Sequence, residues 1–264
     1  MPFHVTPDGA RLHYRLQGAQ DGHEPALLFV HGWCSNLEHW AFQVKRFSRL
    51  HRILRIDRRG MGRSTTPGSG HAAEQHAADI AEVAKAAGVH RAVAIGHAGG
   101  GASTLELARS HPELVEAAVL VDTGLYPAPT LDAGGSGFGA SLVPMIDALS
   151  GPDGQAAFEQ MYRGFFSPHC DPKISGQAVQ DAMRTPLEVA IAELRGMAVS
   201  TEEIARGIEQ PVLWLTATRA DQDYVSKQLR DVRFGQVVGS GHFPQLEVPE
   251  QTNAMIATFL AQLR

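Results

Sequence analysis

Short apolar runs alternate with longer stretches of helical character over most of the 264-residue chain. Runs of this length that are rich in apolar residues are typical of buried strands. They predict strands at 26–30, 51–56, 91–95, 117–121, 211–216 and 233–238. The stretches between them predict helices at 37–49, 71–87, 98–110, 224–230 and 248–263. Strands that alternate with helices in this way indicate a mostly parallel sheet with helices on both faces, which is an α/β fold.

Two parts of the chain depart from this alternation. Near the start, the turn signal Pro7-Asp8-Gly9 separates two short alternating runs, which predicts a β-hairpin over 4–6 and 12–17. Residues 123–210 show no strong strand pattern but contain amphipathic stretches such as 156–166 and 186–197. This segment is too long for a plain loop. We therefore expect residues 1–122 and 211–264 to form the α/β core and residues 123–210 to form a helical cap insertion.

Composition narrows the classes of function. Apolar residues make up 44% and charged residues 19% of the chain, with a net charge of −5, so no basic surface for nucleic acid or anionic lipid is expected. No run has the roughly 18 apolar residues of a membrane span, and the N-terminus does not resemble a signal peptide. Two cysteines, Cys34 and Cys170, favour a reducing cytoplasmic location over a disulfide framework. The histidines lack metal-binding spacing, so no metal is expected.

The most informative stretch joins the predicted strand 91–95 to the predicted helix 98–110. Gly96-His97-Ala98-Gly99-Gly100 has the form of a nucleophile elbow, G-x-S-x-G, a tight strand-to-helix turn that exposes its central side chain. The central residue here is alanine, which has no atom that attacks a carbonyl. His97 is interpreted as structural. Ser103, the next hydroxyl, lies too far into the helix to replace the missing nucleophile.

Loops that follow parallel strands converge at one edge of a sheet, and three groups in these loops are candidates for catalysis. His242 is the candidate general base. Its orienting acid is either Asp122 or a residue in the loop after the next strand, Asp221 or Asp223. Asp122 is favoured because an aspartate that ends an apolar run is expensive unless it is hydrogen-bonded.

The third group is a candidate oxyanion site. The backbone amides of Trp33 and Gly99 are expected to point towards one spot beside the elbow. The side chains of Trp33 and Phe243 are expected to contact the substrate, and aromatic residues of the cap to line an apolar pocket. Arg58 and Arg59 are interpreted as solvated.

Four motifs occur in order: His31-Gly32, Asp57-x-x-Gly60-x-Gly62, the elbow, and Gly241-His242-Phe243. Together they resemble the α/β-hydrolase superfamily over essentially the whole chain. The resemblance implies an eight-stranded sheet, a helical cap, and catalysis by a nucleophile, an acid and a histidine without a cofactor. The stretches Gly100-Gly101-Ala102-Ser103-Thr104 and His242-Phe243-Pro244 also resemble the zearalenone lactonases. The stretches Gly32-Trp33-Cys34 and Gly241-His242-Phe243-Pro244 resemble the cofactor-free 3-hydroxy-4-quinolone 2,4-dioxygenases.

These features predict a serine hydrolase for an ester or lactone of an apolar or aromatic small molecule, inactivated by alanine at position 98. Whether Ala98 is inherited or introduced is left open. One alternative is a cofactor-free dioxygenase for a 3-hydroxy-4-quinolone type of substrate, with His242 and Asp122 as the base. A second is a non-catalytic small-molecule receptor. The expected partner is a small molecule, not nucleic acid or a membrane, and a homodimer is left open.

Overall fold

A computed structural model describes residues 2–19, 25–65, 68–126, 138–197 and 201–263, with only the backbone of 138–141 described. Within these residues eight strands form one sheet in the order β1-β2-β4-β3-β5-β6-β7-β8. The strands are β1 Phe3–Val5, β2 Arg11–Gly18, β3 Ala26–Val30, β4 Arg52–Ile56, β5 Ala92–His97, β6 Val115–Val121, β7 Val212–Thr216 and β8 Val232–Gln236. Only β1 and β2 pair in antiparallel fashion with their neighbours, so the mostly parallel sheet and the initial hairpin are confirmed.

The helices of the alternating region lie on both faces of the sheet. They are α1 Ala41–Phe47, α2 Ala73–Ala86, α3 Gly99–Ser110, α9 Gln222–Gln228, α10 Pro244–Glu247 and α11 Pro249–Gln262. Alternate residues of β5 explain the two layers, since Ala92 and Ala94 pack in the same apolar cluster as α2 and α3. Val93 and Ile95 pack on the opposite face, with α1 and α11. The predicted helix 37–49 is shorter than expected, because a 3₁₀ turn at Leu37–Trp40 precedes α1.

Five helices lie between β6 and β7 in the described part of the chain. They are α4 Phe138–Ser150, α5 Gly154–Arg163, α6 Pro172–Ala182, α7 Leu187–Gly196 and α8 Thr201–Arg206. A third apolar cluster joins residues of α4, α5, α6 and α7 to Trp33 and Phe243 of the neighbouring loops and to Leu246 of α10. Whether 123–210 forms a cap domain with these boundaries stays a prediction. No helix among the described residues is long and apolar enough to span a lipid bilayer, and a cytoplasmic location also stays a prediction.

Candidate active site

Ala98 occupies a strained backbone position between β5 and α3. Its φ of 49° and ψ of −120° lie outside the regions that residues with a side chain usually adopt. A Cβ at Gly96 would collide with the hydroxyl of Thr104, and one at Gly100 would collide with the carbonyl of His31. Neither glycine has a positive φ. They are required by the close approach of neighbouring groups, while the strain of the turn lies on Ala98 itself.

His242 and Asp122 form a close pair at the same edge of the sheet. The Nδ1 atom of His242 lies 2.6 Å from Oδ2 of Asp122. The other carboxylate oxygen, Oδ1, accepts a hydrogen bond of 2.9 Å from the amide of Ala217. Because a carboxylate accepts, the Nδ1–H of His242 donates and its Nε2 carries the lone pair. This is the arrangement that a general base requires.

Asp221, the competing candidate for the acid, has a different role in the structure. Its carboxylate caps the N-terminus of α9 by accepting a hydrogen bond of 3.0 Å from the amide of Tyr224. Its neighbour Asp223 lies in the first turn of the same helix. The structure therefore brings Asp122, rather than Asp221, to His242.

The loop that carries His242 is held from several sides. The amide of His242 donates a hydrogen bond of 2.7 Å to the carbonyl of Phe165, just after α5. Its carbonyl lies 2.6 Å from Nε2 of His97. A carboxylate oxygen of Glu247 accepts hydrogen bonds of 3.1 Å from the amides of Gly241 and Phe243. The backbone on both sides of the imidazole is thus fixed.

A cavity of about 380 Å³ adjoins this pair and the elbow. Its described lining combines the three central residues of the elbow with the base, the acid and residues of the inserted helices and neighbouring loops: Trp33, His97, Ala98, Gly99, Ala102, Asp122, Thr123, Gly124, Tyr126, Leu142, Met145, Gly164, Phe165, Leu194, Met197, Thr201, His242 and Phe243. The ionisable side chains among these described lining residues are Asp122, Tyr126, His97 and His242. The volume and the mainly apolar walls suit a small, uncharged ligand.

Trp33 and Gly99 both border the cavity, as the oxyanion hypothesis requires. Within the described residues, neither backbone amide has a hydrogen-bond acceptor. Gly99 is the first residue of α3, and amides at a helix N-terminus have no partner inside the helix. The indole of Trp33 has a separate role, since its Nε1–H donates to the carbonyl of Ala190 at 2.9 Å. Their role in binding an oxyanion stays a prediction.

A family model described as the alpha/beta hydrolase family matches residues 27–255. The chain belongs to the alpha/beta hydrolase family. It is 40% identical over 119 residues to a non-heme chloroperoxidase from Streptomyces lividans, covering 44% of this chain and 42% of that protein. It is 37% identical over 123 residues to a bifunctional esterase/perhydrolase from Acinetobacter calcoaceticus, covering 46% of this chain and 44% of that protein. The matched stretch spans less than half the length of each of these two relatives.

The fold of the chain is also found among solved structures. The enol-lactonase from Burkholderia xenovorans LB400 superposes with a TM-score of 0.86 at 21% sequence identity, covering 98% of this chain and 100% of that one. The expectation of an α/β-hydrolase fold is therefore confirmed. The finer resemblances to zearalenone lactonases and quinolone dioxygenases stay predictions.

In this alpha/beta hydrolase, the interpretation of Arg58 and Arg59 as solvated residues is wrong. Both side chains are buried. Arg59 pairs with Asp79 at 2.8 Å, and Arg58 pairs with Glu193 of α7 at 3.1 Å. Asp79 lies 20 positions from Arg59, and Glu193 lies 135 positions from Arg58, so local sequence gives no sign of these pairs.

Glu193 also lies beside two buried histidines in a group that has the composition of a metal site. Its Oε1 lies 2.6 Å from Nε2 of His76 and 3.1 Å from Nδ1 of His71. Burial alone would raise the pKa of Glu193, but Arg58 and the two histidines hold that pKa well below its usual value. The Nδ1 of His76 has no partner among the described residues, whereas a metal-bound histidine normally donates from its second nitrogen. The group therefore fits an internally neutralised hydrogen-bond cluster better than a metal centre.

Proposed function

We propose that the site is that of a hydrolase for an ester or lactone of an apolar or aromatic small molecule, with residue 98 in the nucleophile position. The observation that carries this proposal is the close pair of His242 and Asp122, which borders the same cavity as the strained elbow residue Ala98. The similarity to a bifunctional esterase/perhydrolase and to an enol-lactonase supports this class of reaction.

The proposed reaction is acyl transfer through a hydroxyl at position 98. A serine there would give its proton to Nε2 of His242 as its oxygen attacks the substrate carbonyl. Asp122 would hold the imidazole in the required tautomer and stabilise its protonated form. The amides of Trp33 and Gly99 would bind the oxyanion, and water would then release the acid. With alanine at this position, the site binds substrate but does not form the acyl-enzyme.

Covalent labelling tests the assignment of residue 98. We expect a fluorophosphonate to modify the Ala98→Ser protein, because the new hydroxyl attacks phosphorus and expels fluoride while His242 takes the proton. Mass spectrometry of the tryptic peptide 92–109 reports the modification. The unmodified protein should remain unlabelled, although the same peptide contains Ser103.

Fragmentation of the peptide separates the two serines, and the double variant Ala98→Ser with Ser103→Ala provides the matched control. Labelling of Ser103 in the unmodified protein would contradict the assignment of position 98. A folded Ala98→Ser protein that no fluorophosphonate labels would do the same. Oxygen uptake by the unmodified protein with a 3-hydroxy-4-quinolone would instead support the dioxygenase alternative.

The charge of the cavity predicts a preference among substrates. In the Ala98→Ser protein we expect kcat/KM for 4-nitrophenyl butyrate to exceed that for the half-ester 4-nitrophenyl succinate by about 10² or more. The two acyl chains have equal length, but the described lining offers no lysine or arginine to pair with the succinate carboxylate. Asp122 would also repel this carboxylate. Equal kcat/KM values in a spectrophotometric assay would argue against a neutral substrate.

A further inference from the structure

His97 immediately precedes the elbow residue and contacts the loop of the candidate base. It is the last residue of β5, and its side chain is buried. Its Nε2 lies 2.6 Å from the carbonyl oxygen of His242, which is 145 positions away in sequence. Its ring centroid lies 4.9 Å from that of His242 and 4.9 Å from that of Phe243. His97 therefore joins the strand before position 98 directly to the His242 loop.

The chemistry of this contact determines where the proton of His97 lies. A carbonyl oxygen only accepts hydrogen bonds, so Nε2 of His97 must carry the hydrogen. Burial and the neighbouring His242 lower the pKa of His97 well below its usual value, which leaves the ring neutral. Its Nδ1 is then an acceptor, without a donor among the described residues. A Cβ at Gly32 would lie only 2.7 Å from this Nδ1, so the backbone of the loop after β3 packs closely against the ring.

The hydrogen bond from His97 restricts His242 on the side where the elbow lies. Asp122 holds the imidazole at Nδ1, and the carbonyl of Phe165 holds the peptide nitrogen. Neither contact ties His242 to β5, the strand that ends beside position 98. A neutral His97 also does not oppose a positive charge on the imidazole of His242, which a protonated His97 would do at this ring separation.

We propose that His97 is a positioning residue, whose Nε2–H holds the His242 peptide and thereby sets the imidazole relative to residue 98. This inference rests on the proposed function only in that His242 is taken as the base. The proposal requires that the placement of the His242 imidazole depends on His97. That dependence is measurable in the protein as it stands, with Ala98 and without any substrate.

NMR on the unmodified protein and three variants tests the proposal. The imidazole ¹⁵N shifts of His242 report how far its proton is confined to Nδ1. We expect His97→Leu, which removes the donor, to shift these signals towards a mixture of tautomers. His97→Gln, whose amide nitrogen reaches a similar position, should preserve them. His39→Leu is the matched control, because His39 is also buried and its ring lies 5.9 Å from Phe243.

Unchanged His242 signals in folded His97→Leu would overturn the proposal, as would an equal shift in His39→Leu. If His97→Leu does not fold, the ¹⁵N shifts of His97 in the unmodified protein still decide the question. They must show a neutral ring protonated at Nε2, and a proton on Nδ1 would contradict the proposal.

Adding His97→Leu to the Ala98→Ser protein should lower kcat by about 10² with KM nearly unchanged. The NMR result stands even if Ala98→Ser hydrolyses nothing, so the two proposals can fail separately.

Discussion

Replacing Ala98 with serine is expected to raise the rate of aryl-ester hydrolysis by up to about 10⁶-fold. Loss of a nucleophilic serine has an effect of this order because the remaining groups cannot replace covalent attack. The elbow already has the required backbone at residue 98, and His242 is already paired with Asp122. The hydroxyl is thus the single missing group in the proposed mechanism. Turnover of 4-nitrophenyl esters and of aromatic lactones by both proteins measures the gain.

Two further variants in the Ala98→Ser background identify the acid. Asp122→Asn should lower kcat by about 10⁴, because the asparagine no longer holds the productive tautomer of His242. Asp221→Asn should leave kcat unchanged, since asparagine caps a helix as well as aspartate does. The reverse order of effects would reassign the acid. No gain in turnover with any ester or lactone, in a folded Ala98→Ser protein, would refute the proposed hydrolase function.

Lowering the pH from about 6.5 to 4 is expected to unfold the protein. Four histidines among the described residues are buried with depressed pKa values, namely His31, His39, His76 and His97. Burial, as the largest cause, lowers the pKa of His31 to about 3 and that of His39 to about 4. Down to about pH 4, His31 and His39 stay largely neutral in the folded state, and each takes up a proton on unfolding below its ordinary pKa of 6.5.

The sign of this effect follows from proton uptake by the unfolded chain. Above pH 6.5 all four rings are neutral in both states, so the free energy of unfolding is unaffected. Below pH 6.5 a histidine that stays neutral in the folded state lowers this free energy by about 1.4 kcal/mol per pH unit, until the pH reaches its folded-state pKa. His31 and His39 together lower it by about 2.7 kcal/mol per pH unit down to about pH 4, and the lowered pKa values of His76 and His97 act in the same direction. Between pH 6.5 and 4 this loss is comparable with the whole stability of many domains.

Urea unfolding followed by circular dichroism at several pH values measures this slope. The control is His39→Gln, which removes one titrating ring and should reduce the slope by about 1.4 kcal/mol per pH unit. A free energy of unfolding that is constant between pH 6.5 and pH 4.5 would show that the buried rings are not held neutral. The buried carboxylate of Glu193 acts in the same direction because its folded-state pKa is depressed, but only below its ordinary pKa of 4.5.

Much of the fold was predictable because its central strands, β3 to β7, are buried on both faces. The strand predicted at 26–30 has the same bounds in the structure, since an uninterrupted apolar run leaves no competing interpretation. β5 runs two residues further than predicted, to His97, because the sheet continues pairing with Val121 up to the elbow. The position of the elbow followed directly from its glycines. The pairing of Asp122 with His242 also agrees with the preference for an acid that ends an apolar strand.

The inserted helices were less predictable, because their apolar residues pack mainly against each other and against two loops of the core. α6 was not identified, although Asp171 and Pro172 provide a capping residue and a helix-starting proline. The buried Arg58 and the contact made by His97 were missed for a different reason. Their partners, Glu193 and His242, lie more than 130 positions away, and no local pattern encodes such contacts.

The bond between the His242 amide and the Phe165 carbonyl makes ligand access and reactivity interdependent. Phe165 borders the cavity and follows α5, so a ligand that displaced this segment would also remove the acceptor of the His242 amide. Such a displacement would leave the imidazole less firmly held, and the alignment needed for proton transfer would be lost with the hydrogen bond.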